Sequence, residues 1–419
     1  MGRLDRAERQ CVILGVSGGI AAYKACELLR LCTEAGYLVH VVPTAAALRF
    51  VGEATWAALS GQPVATEVWD DVHEVPHVRI GRTADLVMVA PATADVMARA
   101  ANGMADDLLT ATLLTARCPV VYAPAMHTEM WEHAATQANV ATLRSRGAVV
   151  VPPAEGRLTG SDTGTGRLPE PAELFEVARR VLARGTAGLK PDLLGRRVVV
   201  SAGGTREHID PVRFISNRSS GRQGYALART AAVRGAEVTV IAANVDLPDP
   251  AGAKVIKVTS AEELRAAVVD AAAFADAVVM AAAVADFRPA ERRDIKIKKT
   301  GGEPEPIRLT HNPDVLTELS AHRRRSDQVV VGFAAETHDV IAQGRAKLDR
   351  KGCDLLVVNQ VGEGLAFESP DNAAVVLSAD GSAVEVPLGP KEDLADVLWD
   401  LVADRWGATG GADGRRGTN

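Results

Sequence analysis

The amino-acid sequence predicts an α/β protein of two domains, each built on a mainly parallel sheet. Three observations predict it. The chain has 419 residues, more than one hydrophobic core usually serves. Short apolar runs rich in β-branched residues alternate with stretches of helical periodicity, the pattern of a sheet covered on both faces. That pattern begins twice, at Cys11 and again at Arg197, each time with an apolar run that ends in a glycine turn.

In the first half Cys11–Val16 reads as a strand, Ser17-Gly18-Gly19 as a turn, and Ile20–Ala35 as a helix with Gly36 as its C-cap. Leu38–Val42, Leu86–Ala90, Val120–Ala123 and Val149–Val151 continue the strand series. Between Val151 and Arg167 the chain is rich in Gly, Ser, Thr and Asp, and reads as a mobile loop of the kind that serves as a lid. Pro171–Arg184 reads as a helix and Gly185–Gly195 as a linker. In the second half the strands are Arg197–Ser201, Val238–Ala242, Ala277–Met280, Val329–Phe333, Leu355–Val358 and Ala374–Leu377. Helices are expected over Gly221–Arg234 and Lys391–Trp406, with a disordered polar tail from Gly407. The expected domains are therefore residues 1–184 and 196–406, with a linker over 185–195 and a tail over 407–419.

Composition narrows the function. An apolar fraction of 47%, a charged fraction of 24% and a net charge of −6 describe an ordinary globular chain. They count against a nucleic-acid partner, which calls for a basic excess. The longest apolar region, Ala266–Phe287, is interrupted by Asp270 and Asp276, so no membrane span is expected. Met1–Gln10 is charged and lacks the apolar stretch of a secretory signal. Five cysteines, odd in number and without C-x-x-C spacing, fit a reducing cytoplasm.

A strand that passes through Ser17-Gly18-Gly19-Ile20 into a helix gathers backbone N–H groups at a helix N-terminus, where a phosphate is favoured. The spacing is not G-x-G-x-x-G, which counts against a nicotinamide dinucleotide. Ala90-Pro91-Ala92-Thr93-Ala94-Asp95 follows a strand at the carboxyl edge, where open α/β sheets bind ligands. Ala105-Asp106-Asp107-Leu108-Leu109-Thr110 and Ala123-Pro124-Ala125-Met126-His127-Thr128-Glu129-Met130-Trp131 come after it. His73 and His77 are four apart, as helical metal ligands are, but no third ligand is near them in sequence.

As an ordered set from about Val12 to Arg167, these motifs resemble the flavin-dependent cysteine decarboxylases. The resemblance implies a flavodoxin-like fold and FMN, with contacts at Gly18, Gly19, Ile20, Thr44, Thr93, Ala94 and Ala125. It implies that His77, in Pro76-His77-Val78, is the active-site acid/base. Met126 and Met130 are then substrate-wall residues, with Trp131 beside them. His127 stands where the family pattern P-x-M-N-x-x-M-W has asparagine, and a histidine also hydrogen-bonds a carboxylate. The family's flap carries a cysteine that protonates the enethiolate left by CO₂. Leu158–Arg167 has none, so a hydroxyl of Thr159 or Ser161, a water or another acid takes that role.

The second half carries Ser201-Ala202-Gly203-Gly204-Thr205, Asp210-Pro211-Val212-Arg213, and Ser216-Asn217-Arg218-Ser219-Ser220-Gly221 leading into a helix. Ser, Asn and Gly before a helix offer an N-cap and free N–H groups that suit a phosphate. Ala281–Phe287, Lys296-Ile297-Lys298-Lys299, Asn312-Pro313-Asp314 and Val331–Thr337 follow, and Lys347 and Lys351 share a helix face. Lysines gathered from separate loops suit a nucleoside triphosphate, each contact being worth roughly 1 kcal/mol in water and more when partly desolvated. No G-x-x-x-x-G-K-[ST] motif is present, which excludes a P-loop.

From about Arg197 to Leu377 this set resembles phosphopantothenate–cysteine ligase, in the bacterial CTP-using form fused behind the decarboxylase. The resemblance implies a Rossmann-like domain with nucleotide contacts at Asp286, Lys296, Pro313, Asp314, Val315, Leu316, Phe333, Lys347 and Lys351. Asn217, Ala282 and Ala283 are expected to face phosphopantothenate and its acyl-cytidylate, with Asn217 and Lys296 catalytic. Lys296 is expected to stabilise charge at the α-phosphate. Mg²⁺ is expected to bridge the triphosphate, its protein ligand unspecified. The order of domains makes chemical sense, because the ligase product is the decarboxylase substrate. The expected function is thus a bifunctional step of coenzyme A biosynthesis, from 4′-phosphopantothenate and cysteine to 4′-phosphopantetheine. Two alternatives stand beside it: a ligase with a silent FMN-binding domain, and a flavin-binding regulatory or scaffold protein. The resemblance also implies homo-oligomers, trimer-based through the first domain and dimeric through the second.

Overall fold

The structure, a computed structural model, describes residues 9–65, 76–185, 191–298, 306–336, 339–360 and 371–410. The chain divides into two compact units, Met1–Asp192 and Leu193–Asn419.

The first unit is a five-stranded sheet in the order Leu38–Pro43, Cys11–Val16, Leu86–Ala92, Val120–Pro124, Val149–Val150. Every pairing is parallel. In chain order this is 2-1-3-4-5, the flavodoxin-like arrangement, whose ligand crevice lies between the first and third strands. Cys11–Val16 and Leu86–Ala92 are buried along their whole lengths, as strands covered on both faces must be. The residue after each strand therefore emerges at one edge.

The second unit is an eight-stranded sheet. Six parallel strands run in the order Ala253–Val258, Glu237–Ala243, Arg197–Gly203, Ala277–Met280, Val329–Glu336, Leu355–Gln360. That is 3-2-1-4-5-6 in chain order, the Rossmann arrangement. Asp371–Ser378 and Ala383–Pro390 add an antiparallel edge. Successive residues of Arg197–Gly203 feed opposite cores. Val198 and Val200 pack with Tyr225 and Trp399, while Val199 packs with Ile241, Leu264 and Val330. Each such fully buried aliphatic side chain contributes about 1.5–3 kcal/mol.

Several features differ from the sequence-based expectation. Residues 152–167, expected to be a mobile loop, form a hairpin of Ala154–Arg157 against Thr163–Arg167. Its strands are made of residues with low strand propensity, and Gly156, Gly164 and Gly166 have φ of 146°, 159° and 146°. A period-2 hydrophobic pattern is therefore missing. The last helix, Lys391–Gly410, runs past Trp406 into the segment expected to be disordered. The two edge strands, Ala253–Val258 and Ala383–Pro390, are only partly buried and have no counterpart among the expected strands. All five cysteines are free, and no described helix is long and apolar enough to cross a membrane.

Candidate active sites

In the first unit the carboxyl edge of the sheet is tied together at the crevice between its first and third strands. The buried Ser17 hydroxyl donates to the Pro91 carbonyl (2.7 Å) and accepts from the Thr93 N–H (2.9 Å). Thr93 in turn caps the helix Ala94–Ala101 by accepting from Val96 N–H. The Thr44 N–H donates to Val16 O (2.9 Å), and the Ala125 N–H donates to Ala92 O (3.1 Å). The turn at Gly18–Ile20 thus shares one edge with Thr44, Thr93, Ala94 and Ala125. Gly18 is required there, because a Cβ would lie 2.3 Å from Ala46 Cβ. Gly19 faces more open space, its nearest neighbour being Thr93 Cγ2 at 3.7 Å. Ile20, immediately after, is 68% exposed.

The hairpin closes on the next loop. Met126 N–H donates to Gly166 O (2.9 Å). Added Cβ atoms at Gly166 and Gly164 would meet Met126 O at 2.2 Å and Thr128 Oγ1 at 2.3 Å. So close an approach needs glycine at both places. It brings Thr159 Oγ1 to 3.4 Å from His127 Nε2, so His127 and one of the two expected flap hydroxyls meet. Ser161 is exposed on the same turn and makes no hydrogen bond among the described residues. Met130 is 47% exposed, whereas Met126 and Trp131 pack partly against the core.

His77 is the second residue of the helix Pro76–Thr83, where its carbonyl accepts from Thr115 Oγ1 (2.7 Å). Its ring Nδ1 is buried without a hydrogen-bond partner, and its ring makes no bond to His127 or Thr159. His73 lies outside the described residues. Among the described residues no group of three or more His, Cys, Asp or Glu is placed to hold a metal.

In the second unit the equivalent crevice, between Arg197–Gly203 and Ala277–Met280, opens into a cavity of about 690 Å³. Serine does the same work here as in the first unit: Ser201 Oγ accepts from Ala282 N–H (3.1 Å). Thr205 Oγ1 accepts from Ala285 N–H (3.0 Å), and Asn217 Nδ2 donates to Val284 O (3.1 Å). Asn217, Ala282, Ala283 and Asp286 line one wall. Pro313, Asp314, Val315 and Leu316 line another, and Phe333, Lys347 and Lys351 a third. Lys347 pairs with Glu336 (3.4 Å) and Lys351 with Asp314. Burial works against the Asp314 carboxylate, but Lys351 and Thr317 hold its pKa below the usual range.

Lys296 is not in the cavity wall. It is exposed on a segment fastened elsewhere: Ile297 N–H donates to Asp210 Oδ2 (3.1 Å) and Arg213 Nη2 to Ile297 O (3.2 Å). The cavity also holds Gln223, Asn359, Asn372 and Lys391, which sequence reasoning did not select. Lys391 follows the Gly389-Pro390 pair and reads simply as a helix start. No local signal links it to Gln223, whose Nε2 donates to its carbonyl from 168 positions away.

With this geometry in place, comparison with known proteins is informative. Residues 3–182 match the family described as Flavoprotein, and residues 193–405 match the DNA/pantothenate metabolism flavoprotein C-terminal domain. The chain is 58% identical over 406 residues to the coenzyme A biosynthesis bifunctional protein CoaBC of Mycolicibacterium smegmatis, covering 94% of this chain and 97% of that one. The chain belongs to the bifunctional coenzyme A biosynthesis family. The Mycobacterium tuberculosis H37Rv member is 59% identical over 400 residues, covering 93% and 96% of the two chains. The Vibrio cholerae member is 41% identical over 398 residues, covering 94% and 98%. Among solved structures, the C-terminal domain of a CoaBC protein is 32% identical and covers 52% of this chain and 99% of its own, with a TM-score of 0.45. Family membership accounts for two different units in one chain.

Proposed function

We propose that the second unit joins 4′-phosphopantothenate to cysteine at the expense of CTP, and that the first unit decarboxylates the product to 4′-phosphopantetheine. The observation that carries the reading is the 690 Å³ cavity at the Rossmann switch point, together with a family-matched flavoprotein unit in the same chain. In the ligase, a carboxylate is a poor electrophile. Transfer of CMP to it, with release of pyrophosphate, makes a mixed anhydride that the cysteine amine attacks, and CMP leaves. Lys347 and Lys351 neutralise nucleotide charge from one helix face, and Asp314, Val315, Leu316, Pro313 and Phe333 shape the nucleotide wall. Asn217, positioned by its bond to Val284 O, orients the acyl group beside Ala282 and Ala283. Lys296 acts at the α-phosphate in this reading, which requires the exposed 290–298 segment to reach a cavity it does not line. Mg²⁺ would neutralise triphosphate charge, held chiefly by the nucleotide, since among the described residues no group of three or more His, Cys, Asp or Glu is placed to hold a metal.

FMN fits the first unit. Gly18 is packed so closely that no side chain intrudes, and the open face at Gly19 and Ile20 adjoins Thr44, Thr93, Ala94 and Ala125 at one sheet edge. When bound, FMN supplies reversible two-electron oxidation of the cysteinyl thiol, which lets the carboxylate leave as CO₂ into a stabilised enethiolate. The chain's own residues do the rest. His127 grips the carboxylate, Met126 and Met130 wall the substrate, and the hairpin excludes water. Thr159, at 3.4 Å from His127 Nε2, delivers the proton that the family's cysteine otherwise supplies. His77, with a buried ring nitrogen lacking a partner, is the second acid/base. Free cysteines throughout fit the cytoplasm, and exposed Ile20, Tyr23 and Phe50 offer apolar area for the homo-oligomer.

The test is a mass-resolved assay of purified protein with phosphopantothenate, cysteine, magnesium and either CTP or ATP. Accumulation of 4′-phosphopantetheine with CTP is expected. Phosphopantothenoylcysteine accumulating without loss of CO₂, despite bound FMN, would retire the decarboxylase and leave the ligase.

A further inference from the structure

The second unit's cavity contains a charged group that the reading above does not use. Lys391 is only 7% exposed, yet it lines the cavity. Its ammonium has three donors and makes one hydrogen bond, to Asp371 O at 3.2 Å, with no ion pair among the described residues. A buried cation in that condition is costly unless something else pairs with it. Burial and the nearby Arg222 charge lower its pKa, against Glu392 and Asp371. Of the two carboxylates that favour its charge, Glu392 is committed elsewhere, since its Oε1 accepts from Arg229 Nη2 at 2.7 Å, and Asp371 bonds the ammonium only through its backbone carbonyl among the described hydrogen bonds.

The groups around Lys391 are equally unfinished. Asn372 is 3% exposed and lines the same cavity. Its Nδ2 donates to Gln223 Oε1 (3.0 Å), but its Oδ1 is buried with no partner. Asn359 Oδ1 is likewise buried and unpaired on the adjacent strand. Beside them, joined through Gln223, lie the N-terminal residues of Arg222–Val233, a helix of 12 residues whose N-cap, Gly221, makes no side-chain cap. Arg222 is exposed and lines the cavity too.

We infer that Lys391, Asn372 and Arg222 with this helix N-terminus form a subsite for a phosphoryl group of a ligase substrate. The subsite rests on the ligase reading. Two substrates in that reading carry phosphate, 4′-phosphopantothenate and the nucleoside triphosphate, and the subsite takes one of them. Lys391 is a binding group that completes its hydrogen bonds only when the ligand arrives.

The test uses the full chain with Lys391→Met, Lys391→Arg and Arg222→Gln. Arg222 is exposed, so its variant keeps the proposal testable if Lys391→Met does not fold. Steady-state ligation gives kcat and KM for phosphopantothenate, CTP and cysteine, and calorimetric titration gives the affinity of each phosphorylated substrate without turnover. Expected is a rise of about tenfold or more in KM and Kd for one phosphorylated substrate in Lys391→Met, as for loss of a charge-assisted bond. Lys391→Arg recovers part of it, and Arg222→Gln shows a smaller rise for the same substrate. Which substrate is affected names the source of the phosphate. Unchanged affinities for both, or equal losses for both and for cysteine, overturn the subsite. An inactive wild type would count against the ligase reading instead, while the titrations would still decide the subsite.

Discussion

Replacing Gly166 with alanine tests whether the hairpin is part of the decarboxylase. Gly166 has φ +146° and its Cβ position is 2.2 Å from Met126 O. The gap to that backbone oxygen must widen by about 1 Å to reach ordinary separation, and overpacking of this kind costs about 1–3 kcal/mol. The backbone conformation itself is one that a side chain adopts at a further cost of about 1–3 kcal/mol. The cheapest relief is for the hairpin to lift. The ladder of four residue pairs is internal to the hairpin, so lifting leaves it intact and breaks the hydrogen bond from Met126 N–H to Gly166 O. A local penalty of about 3 kcal/mol reduces the closed population roughly 10²-fold. Decarboxylation should fall by that factor, while ligation continues and phosphopantothenoylcysteine accumulates. The assay follows both products by mass, with circular dichroism as a check on the fold. A Gly166→Ala protein that makes 4′-phosphopantetheine at the wild-type rate, or loses both activities in parallel, would refute the reasoning.

Other expectations follow from the same geometry. Thr159→Val should slow decarboxylation by about 10²-fold, as loss of a general acid does, while Ser161→Ala stays within about twofold; stopped assays of CO₂ release check both. Ser17→Ala removes a buried hydroxyl with bonds to Pro91 O and Thr93 N and should cost about 1–3 kcal/mol, read as a lower Tm and weaker flavin retention. Lys351→Met leaves Asp314 without its ion-pair partner and should raise the KM for CTP by about tenfold with little change in KM for cysteine.

The inner strands of both sheets were legible because they are apolar, short and separated by helical periods, whereas the partly exposed edge strands Ala253–Val258 and Ala383–Pro390 were not. Cys11–Val16 and Arg197–Gly203 announce themselves through buried β-branched residues followed by glycine. The motif loops after the strands could be read for a related reason. A parallel sheet delivers each of these loops to the same edge, so sequence order already implies proximity. The hairpin at 154–167 was not legible, since its shape comes from glycine φ values and from docking on Met126 and Thr128. Neither leaves a periodic signal.

The sequence by itself determined the two α/β units, the residues at their strand ends and the absence of a P-loop, because these depend on local pattern and composition. Only the tertiary structure decided which side chains meet. It set Thr159 beside His127, gathered Asn217, Phe333 and Lys351 around one cavity without Lys296, and placed Lys391 among Gln223 and Asn372. Such meetings join residues tens to hundreds of positions apart. Their energy depends on burial and geometry that no local stretch of chain encodes.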